Sequence, residues 1–246
     1  MKTLRKLSSA EVALLRDHKS YELIDFLWLT LSDLLLKGVL NIEHLSQKAH
    51  LADAAYLEFV IMPGRNFQLY NAAPHEILFT LDFMGEVGQK LSLRQLWTRV
   101  LQRAIDKRQY LRSYLLLAPN MRLCFERDFL FEMTGRLKMS DLGKETQLKI
   151  AQELTDVEID LWAQLNYEAD EAIKSFLLLK GNFQFLRNVS LATLSEFEKA
   201  LFIQSMIATG QNDLSESSIW IDSFLQEHFE KFVQDIHTSI LRYQVN

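Results

Sequence analysis

Six basic side chains crowd one stretch of the chain: Arg94, Arg99, Arg103, Lys107, Arg108 and Arg112, with Asp106 the one acid among them. Guanidinium and ammonium groups at this density neutralise phosphates. Arg122, Arg127 and Arg136 continue the series. What they do depends on the helix that carries them. Drawn as one helix at about 100° per residue, residues 93–115 put Leu93, Leu96, Trp97, Val100, Leu101, Ala104, Ile105, Leu111 and Leu115 on the apolar face. The basic residues then flank that face, and Gln95, Gln102, Asp106, Gln109 and Ser113 centre the wet side. That is a solvated helix with snorkelling rims. A break between 103 and 108 would instead present Lys107, Arg108 and Arg112 together, although no Gly or Pro marks one.

Catalytic constellations do not emerge. None of the six histidines has a Glu three residues before it, as a carboxylate–histidine di-metal bundle requires. There is no His-Glu-x-x-His, no Gly-x-Gly-x-x-Gly, no Gly-Lys-Ser/Thr loop and no Gly-x-Ser-x-Gly elbow. Gly85 and Gly88 read as a turn. Cys124, between Leu123 and Phe125, reads as a buried structural thiol rather than a nucleophile. His228 and His237 are nine apart, on opposite sides of one helix, so they cannot share a metal. Glu168, Asp170 and Glu171 form an acidic cluster with no histidine nearby, a solvated face. His75, after Pro74, reads as a helix-start residue. The expectation is a non-enzymatic protein with no cofactor and no metal.

The 246 residues allow one large domain or two small ones. With 48% hydrophobic and 24% charged residues the chain can bury a core without staples, and a single cysteine excludes an internal disulfide framework. The net charge of −5 argues against a general polyanion binder. Its distribution says more. Residues 1–20 carry +3, 21–85 carry −5, 86–146 carry +5 and 147–246 carry −8. The basic start at Lys2, Arg5 and Lys6 is not followed by an apolar core, because Glu11, Arg16 and Asp17 interrupt. The longest stretch without Asp, Glu, Lys or Arg, 200–212, is shorter than the roughly 20 residues of a spanning helix. These features predict a soluble cytoplasmic protein with no transmembrane segment.

Several elements must position the basic residues. Ser8-x-x-Glu11 is a capping box that opens a helix to about Asp17. A second helix fits 20–37, and Gly38 stands where a left-handed stop belongs. Residues 39–43 are a strand or a helix start, and 44–55 are weakly helical. The runs 57–62 and 66–70, around Pro63-Gly64-Arg65, predict a β-hairpin. A helix fits 75–84, and Ser92 caps an amphipathic stretch over 93–117. Residues 121–133 read as extended, and the strand before Ser140 should pair with 123–125. Thr155-x-x-Glu158 predicts a helix start running to about Lys180, and helices are expected over 191–208 and 213–243. The aromatic-rich last helix, with Trp220, Phe224, Phe229 and Phe232, is wide enough on its apolar side to allow homodimer packing.

Helix, helix, helix, hairpin is the order of a winged helix. The stretch Arg136-Leu137-Lys138-Met139-Ser140-Asp141-Leu142-Gly143-Lys144-Glu145 resembles the end of a wing, where many winged-helix regulators carry a strand running into Leu-Thr-x-x-Gly-(Lys/Arg)-Glu. The run from Leu7-Ser8-Ser9-Ala10-Glu11 to Leu36-Lys37-Gly38-Val39-Leu40 is similar to a unit of tandem winged-helix repeats in bacterial proteins, and His75-Glu76-Ile77-Leu78 restarts it. The resemblance implies a mainly α, α+β fold: two winged-helix-like units at 1–72 and 73–145, the second basic, then an acidic helical region at 146–246. It implies a bacterial cytoplasmic binding protein whose partner is a protein or a nucleic acid. In the second case Arg94, Arg99, Arg103, Lys107, Arg108 and Arg112 contact phosphates and Arg122, Arg127 and Arg136 act at the wing. A second resemblance, through Leu7-Ser8-Ser9-Ala10-Glu11-Val12 and Leu91-Ser92-Leu93-Arg94-Gln95-Leu96-Trp97, is to Golgi phosphoprotein 3-like proteins. It implies a peripheral membrane adaptor that binds anionic lipid headgroups. The chain carries Arg16-Asp17-His18-Lys19 where that family has an acidic stretch.

Overall fold

The computed structural model describes residues 1–47, 56–85, 89–126, 137–167 and 178–186. The chain divides into two compact units: Met1–Val157 with Leu178–Phe185, and Glu158–Leu177 with Leu186–Asn246. The described part is mainly helical with a small antiparallel sheet. The helices expected over 191–208 and 213–243, and the aromatic face of the last, lie outside the described residues.

Helix α1 (Ser9–Asp17) starts where the sequence requires. The Ser8 hydroxyl accepts the Glu11 N–H, and Glu11 Oε2 accepts the Ser8 N–H at 2.7 Å. Helix α2 (Leu23–Leu36) ends at Gly38, whose φ of 63° suits a residue without Cβ. The two helices bury Val12, Leu14, Leu15, Phe26, Leu27, Leu31 and Leu34. Each such side chain contributes about 1.5–3 kcal/mol on leaving water, so this helix pair forms the heart of the core.

The hairpin differs from the expectation. Strand β1 (Leu40–Gln47) pairs antiparallel with β2 (Tyr56–Pro63) in the register Leu40↔Pro63 to Gln47↔Tyr56. Thus 57–62 is a strand, but its partner lies before it, and Phe67–Leu69 is a 3-10 turn. The weakly helical expectation for 44–55 fails at 44–47 for the same reason. Backbone pairing across strands outweighs a marginal local preference. The strand β3 (Leu91–Ser92) adds to the other edge of β2, through Val60↔Ser92 and Ile61↔Leu91. The sheet therefore joins residues from both sides of position 72.

Helix α3 (Pro74–Thr80) has proline in its first turn, where a missing N–H costs nothing, and closes in a 3-10 turn at Leu81–Phe83. Ser92 caps α4 (Leu93–Ala104) through a capping box with Gln95. The amphipathic stretch is not one helix. It breaks at Ile105 and resumes as α5 (Lys107–Ser113), followed by a 3-10 turn at Leu115–Leu117. Asp106 begins α5 by accepting the Gln109 N–H at 2.7 Å. The expected apolar face keeps Leu96, Val100, Ala104, Leu111 and Leu115 in the core, but Ile105 is 68% exposed and Tyr110 is buried instead.

Residues 121–124 form turns rather than a strand. Among the described residues of the expected extended run 121–133, the strand is β4 (Phe125–Glu126), and it pairs with β5 (Lys138–Met139) through Phe125↔Met139, close to the pairing expected before Ser140. Helix α6 (Asp141–Tyr167) then runs unbroken. It passes through Thr155, so no helix begins there. The Thr155 hydroxyl donates back to the Ala151 carbonyl at 3.1 Å, as a threonine within a helix does. Glu153 anchors α6 to the chain start by accepting the backbone N–H groups of Thr3 and Leu4.

Candidate functional site

The basic residues are carried by α4, α5 and the turns after them. Arg94, Arg108, Arg112 and Arg122 are exposed. On a helix, Arg108 and Arg112 at i and i+4 share one face; it lies away from the buried Tyr110 and Leu111. Lys107 is half-buried, with Nζ 3.9 Å from Glu22 Oε1. Arg127 and Arg136 lie outside the described residues.

Two of the series serve the fold. Arg103 donates both terminal nitrogens to the Asp82 carboxylate, at 2.7 and 2.6 Å, and also donates to the Leu78 carbonyl at 3.0 Å. Arg99 reaches the same carboxylate at 3.1 Å. These hydrogen bonds, Arg103 foremost, hold Asp82 below the usual carboxylate range. A forked guanidinium on a carboxylate is the strong form of this pair. It ties the end of α3 to α4 and fixes the platform from which α5 departs.

The break itself is unusual. Ile105 has φ 64° and ψ −73°, and the Asp106 N–H donates to the Ala104 carbonyl at 2.8 Å. This is a γ-turn of the strained hand. A β-branched residue there costs about 1–3 kcal/mol. Sequence reasoning looked for Gly or Pro and so passed over the signal that was present. Asp106 followed three residues later by Gln109 is an N-cap pattern.

A second assembly, buried, escaped the sequence altogether. Lys37 Nζ lies 2.7 Å from Asp33 Oδ2 and 2.9 Å from Glu76 Oε1, and the Tyr70 hydroxyl donates to Glu76 at 2.8 Å. Burial opposes the charge on Lys37, but the two carboxylates outweigh it and raise its pKa. Burial raises Asp33, whereas at Glu76 the pull of Lys37 and His75 overcomes burial and lowers it. Beside this triad the Ser8 hydroxyl shares a 2.9 Å hydrogen bond with His75 Nε2. Burial pushes His75 down to about 4 and Glu11 up to about 7. A serine next to a histidine invites a nucleophile reading. Both are buried, and the serine oxygen already accepts the Glu11 N–H as the α1 cap. The assembly is a polar core.

Cys124 is buried, its thiol donating to the Asn120 carbonyl at 3.2 Å, and burial raises its pKa. Among the described residues no group of three or more His, Cys, Asp or Glu side chains is arranged to hold a metal ion. No helix among them is long and apolar enough to cross a membrane. No family model, curated protein or solved structure matches the chain.

Proposed function

We propose that this is a non-enzymatic binding protein in which residues 73–145 act as a winged-helix-like unit that grips nucleic acid through α5. One observation carries the reading: the break at Ile105. It turns one amphipathic stretch into two helices separated by two residues. The order from 73 onward becomes α3, the two-residue strand β3, α4, α5 and then the antiparallel pair β4–β5. It also removes the wheel that spread the basic residues along two rims. Lys107, Arg108 and Arg112 now belong to one short helix, in the place a recognition helix occupies before a wing. Arg94 and Arg122 are exposed as well, while Arg99 and Arg103 brace α4 through Asp82.

Binding of fluorescent duplex DNA at about 50 and 200 mM salt tests this, because phosphate neutralisation makes affinity fall steeply over that range. Micromolar or tighter binding is expected at the lower salt. Arg108→Glu with Arg112→Glu should weaken it at least tenfold and flatten the salt slope by about two. Unchanged affinity in that double variant would refute the assignment. Vesicles with anionic headgroups form the parallel arm, and capture there without DNA binding would give the same surface to a lipid partner.

A further inference from the structure

The segment Leu178–Phe185 belongs to the compact unit of Met1–Val157, while the chain on both sides of it, Glu158–Leu177 and Leu186 onward, belongs to the other unit. It joins its unit through contacts rather than through chain continuity, and those contacts are specific. The Gly181 N–H donates to Asp33 Oδ1 of α2 at 3.2 Å, and the Asn182 amide donates to the Leu4 and Leu7 carbonyls at 2.9 and 3.0 Å. Leu179, Asn182 and Phe185 are buried, and the Arg16 guanidinium of α1 lies 5.1 Å from the centre of the Phe185 ring. Position 181 admits no side chain, because a Cβ there would run into Ser9 Oγ. The seat also carries costs. Lys180 has a φ of 52°, left-handed backbone that a residue with a Cβ adopts at a penalty. Ser9 Oγ, Asn182 Oδ1 and Gln184 Nε2 are buried with no hydrogen-bond partner among the described residues. Each unpaired polar atom subtracts from the stability of the docked state, which places this segment among the parts of the unit that open first.

We propose that the seat formed by α1, α2 and the chain start takes this segment in trans as well as in cis, and that a second copy of this chain supplies it, giving a strap-exchanged dimer. Every contact above is made by residues of the segment itself. The seat therefore reads its own segment and that of a second copy alike, and exchange of an identical element needs no new interface. The tether sets the balance. A segment held on its own chain acts at an effective concentration of about a millimolar, so the closed monomer dominates in dilute solution and exchange grows as the chain is concentrated. The inference is independent of the nucleic-acid reading.

Two full-length variants divide the strap from the seat. Gly181→Val disables the strap and leaves the seat intact, and Ser9→Phe blocks the seat and leaves the strap intact. Sedimentation of the mixture should show a one-to-one complex that neither variant forms alone. A fluorescent peptide of residues 178–185 gives the second readout. Gly181→Val should bind it about tenfold or more tightly than the wild type, whose seat is already filled from its own chain. Its thermal midpoint should rise with the peptide, as a ligand of the folded state requires. The same peptide carrying Gly181→Val should not bind. If Gly181→Val does not fold alone, the peptide should restore its circular dichroism, and if Ser9→Phe does not fold, the peptide readout decides. A mixture of two folded variants without a complex would overturn the inference. So would equal binding of the two peptides, or a peptide that neither binds Gly181→Val nor restores it.

Discussion

At the scale of single residues, burial decides the behaviour of the ionisable groups. Glu11 keeps its proton up to about pH 7 in the folded chain, against 4.5 for an ordinary glutamate. Its contribution to stability is therefore complete at acid pH and is lost as pH rises from 4.5 to about 7. His75 runs the other way. It stays neutral down to about 4 rather than 6.5, so its contribution is complete above 6.5 and is lost as pH falls toward 4. Glu11→Gln retains an oxygen to accept the Ser8 N–H and removes the charge. It should raise stability at pH 8 by about 2 kcal/mol, below the roughly 3.4 kcal/mol that a change from 4.5 to about 7 gives at about 1.36 kcal/mol per pH unit, and change it little at pH 4. Urea unfolding at the two pH values checks this, and an equal effect at both would show that Glu11 is not charged in the way described. Lys37 is the other decisive residue. Its partners Asp33 and Glu76 have side chains 2% and 3% exposed. Lys37→Met leaves two buried carboxylates without a counter-charge and should cost about 3–5 kcal/mol in chemical denaturation.

Between elements, a few side chains set how one helix meets the next. Asp82 is the joint between α3 and α4, holding Arg103 by a fork and Arg99 by a single contact. Asp82→Ala should lower stability by about 1–3 kcal/mol, since hydrogen bonds to charged groups sit in that range. The same change releases two guanidinium groups at the surface, so non-specific affinity for duplex DNA should rise while stability falls. Opposite movements of the two quantities, in thermal melts and in low-salt titrations, distinguish a brace from a phosphate contact. Arg108→Ala should move affinity the other way, lowering it. The break at Ile105 belongs to this scale too. The cap at Asp106 and the buried Tyr110 pull α5 onto its own course, and the chain meets that demand with a strained residue rather than a glycine.

Over the larger of the two compact units, the segment Leu178–Phe185 matters most, because it returns to join Met1–Val157. The Asn182 side-chain amide donates to the Leu4 and Leu7 carbonyls at 2.9 and 3.0 Å, satisfying backbone groups at the start of the chain. The Gly181 N–H donates to Asp33 Oδ1 at 3.2 Å. A Cβ at 181 would come within 2.9 Å of Asp33 Oδ1 and closer still to Ser9 Oγ. Gly181→Val should therefore displace this segment, lower the thermal midpoint and speed proteolysis near it. Asn182→Ala should do the same more mildly, removing a donor from each of the Leu4 and Leu7 carbonyls, at about 1–3 kcal/mol. Unchanged proteolysis in both variants would show that the segment does not hold the unit together.

What the sequence determined by itself was local. Ser8 with Glu11, Ser92 with Gln95, the glycine stop at Gly38 and the α1 and α2 spans were legible, because a cap or a turn is decided by residues within one helical turn. So was the concentration of positive charge over 94–112, which composition alone displays. The Asp106 cap was legible in the same way, though its consequence for Ile105 was not. Tertiary structure decided the rest. β2 chose a partner at 40–47 rather than 66–70, since pairing depends on which strand the fold brings alongside. The meeting of Lys37 with Glu76, of Ser8 with His75, and of Asp33 with Gly181 spans up to 148 positions of chain. No spacing rule records contacts of that kind, because their stability comes from desolvation that exists only once the elements have packed.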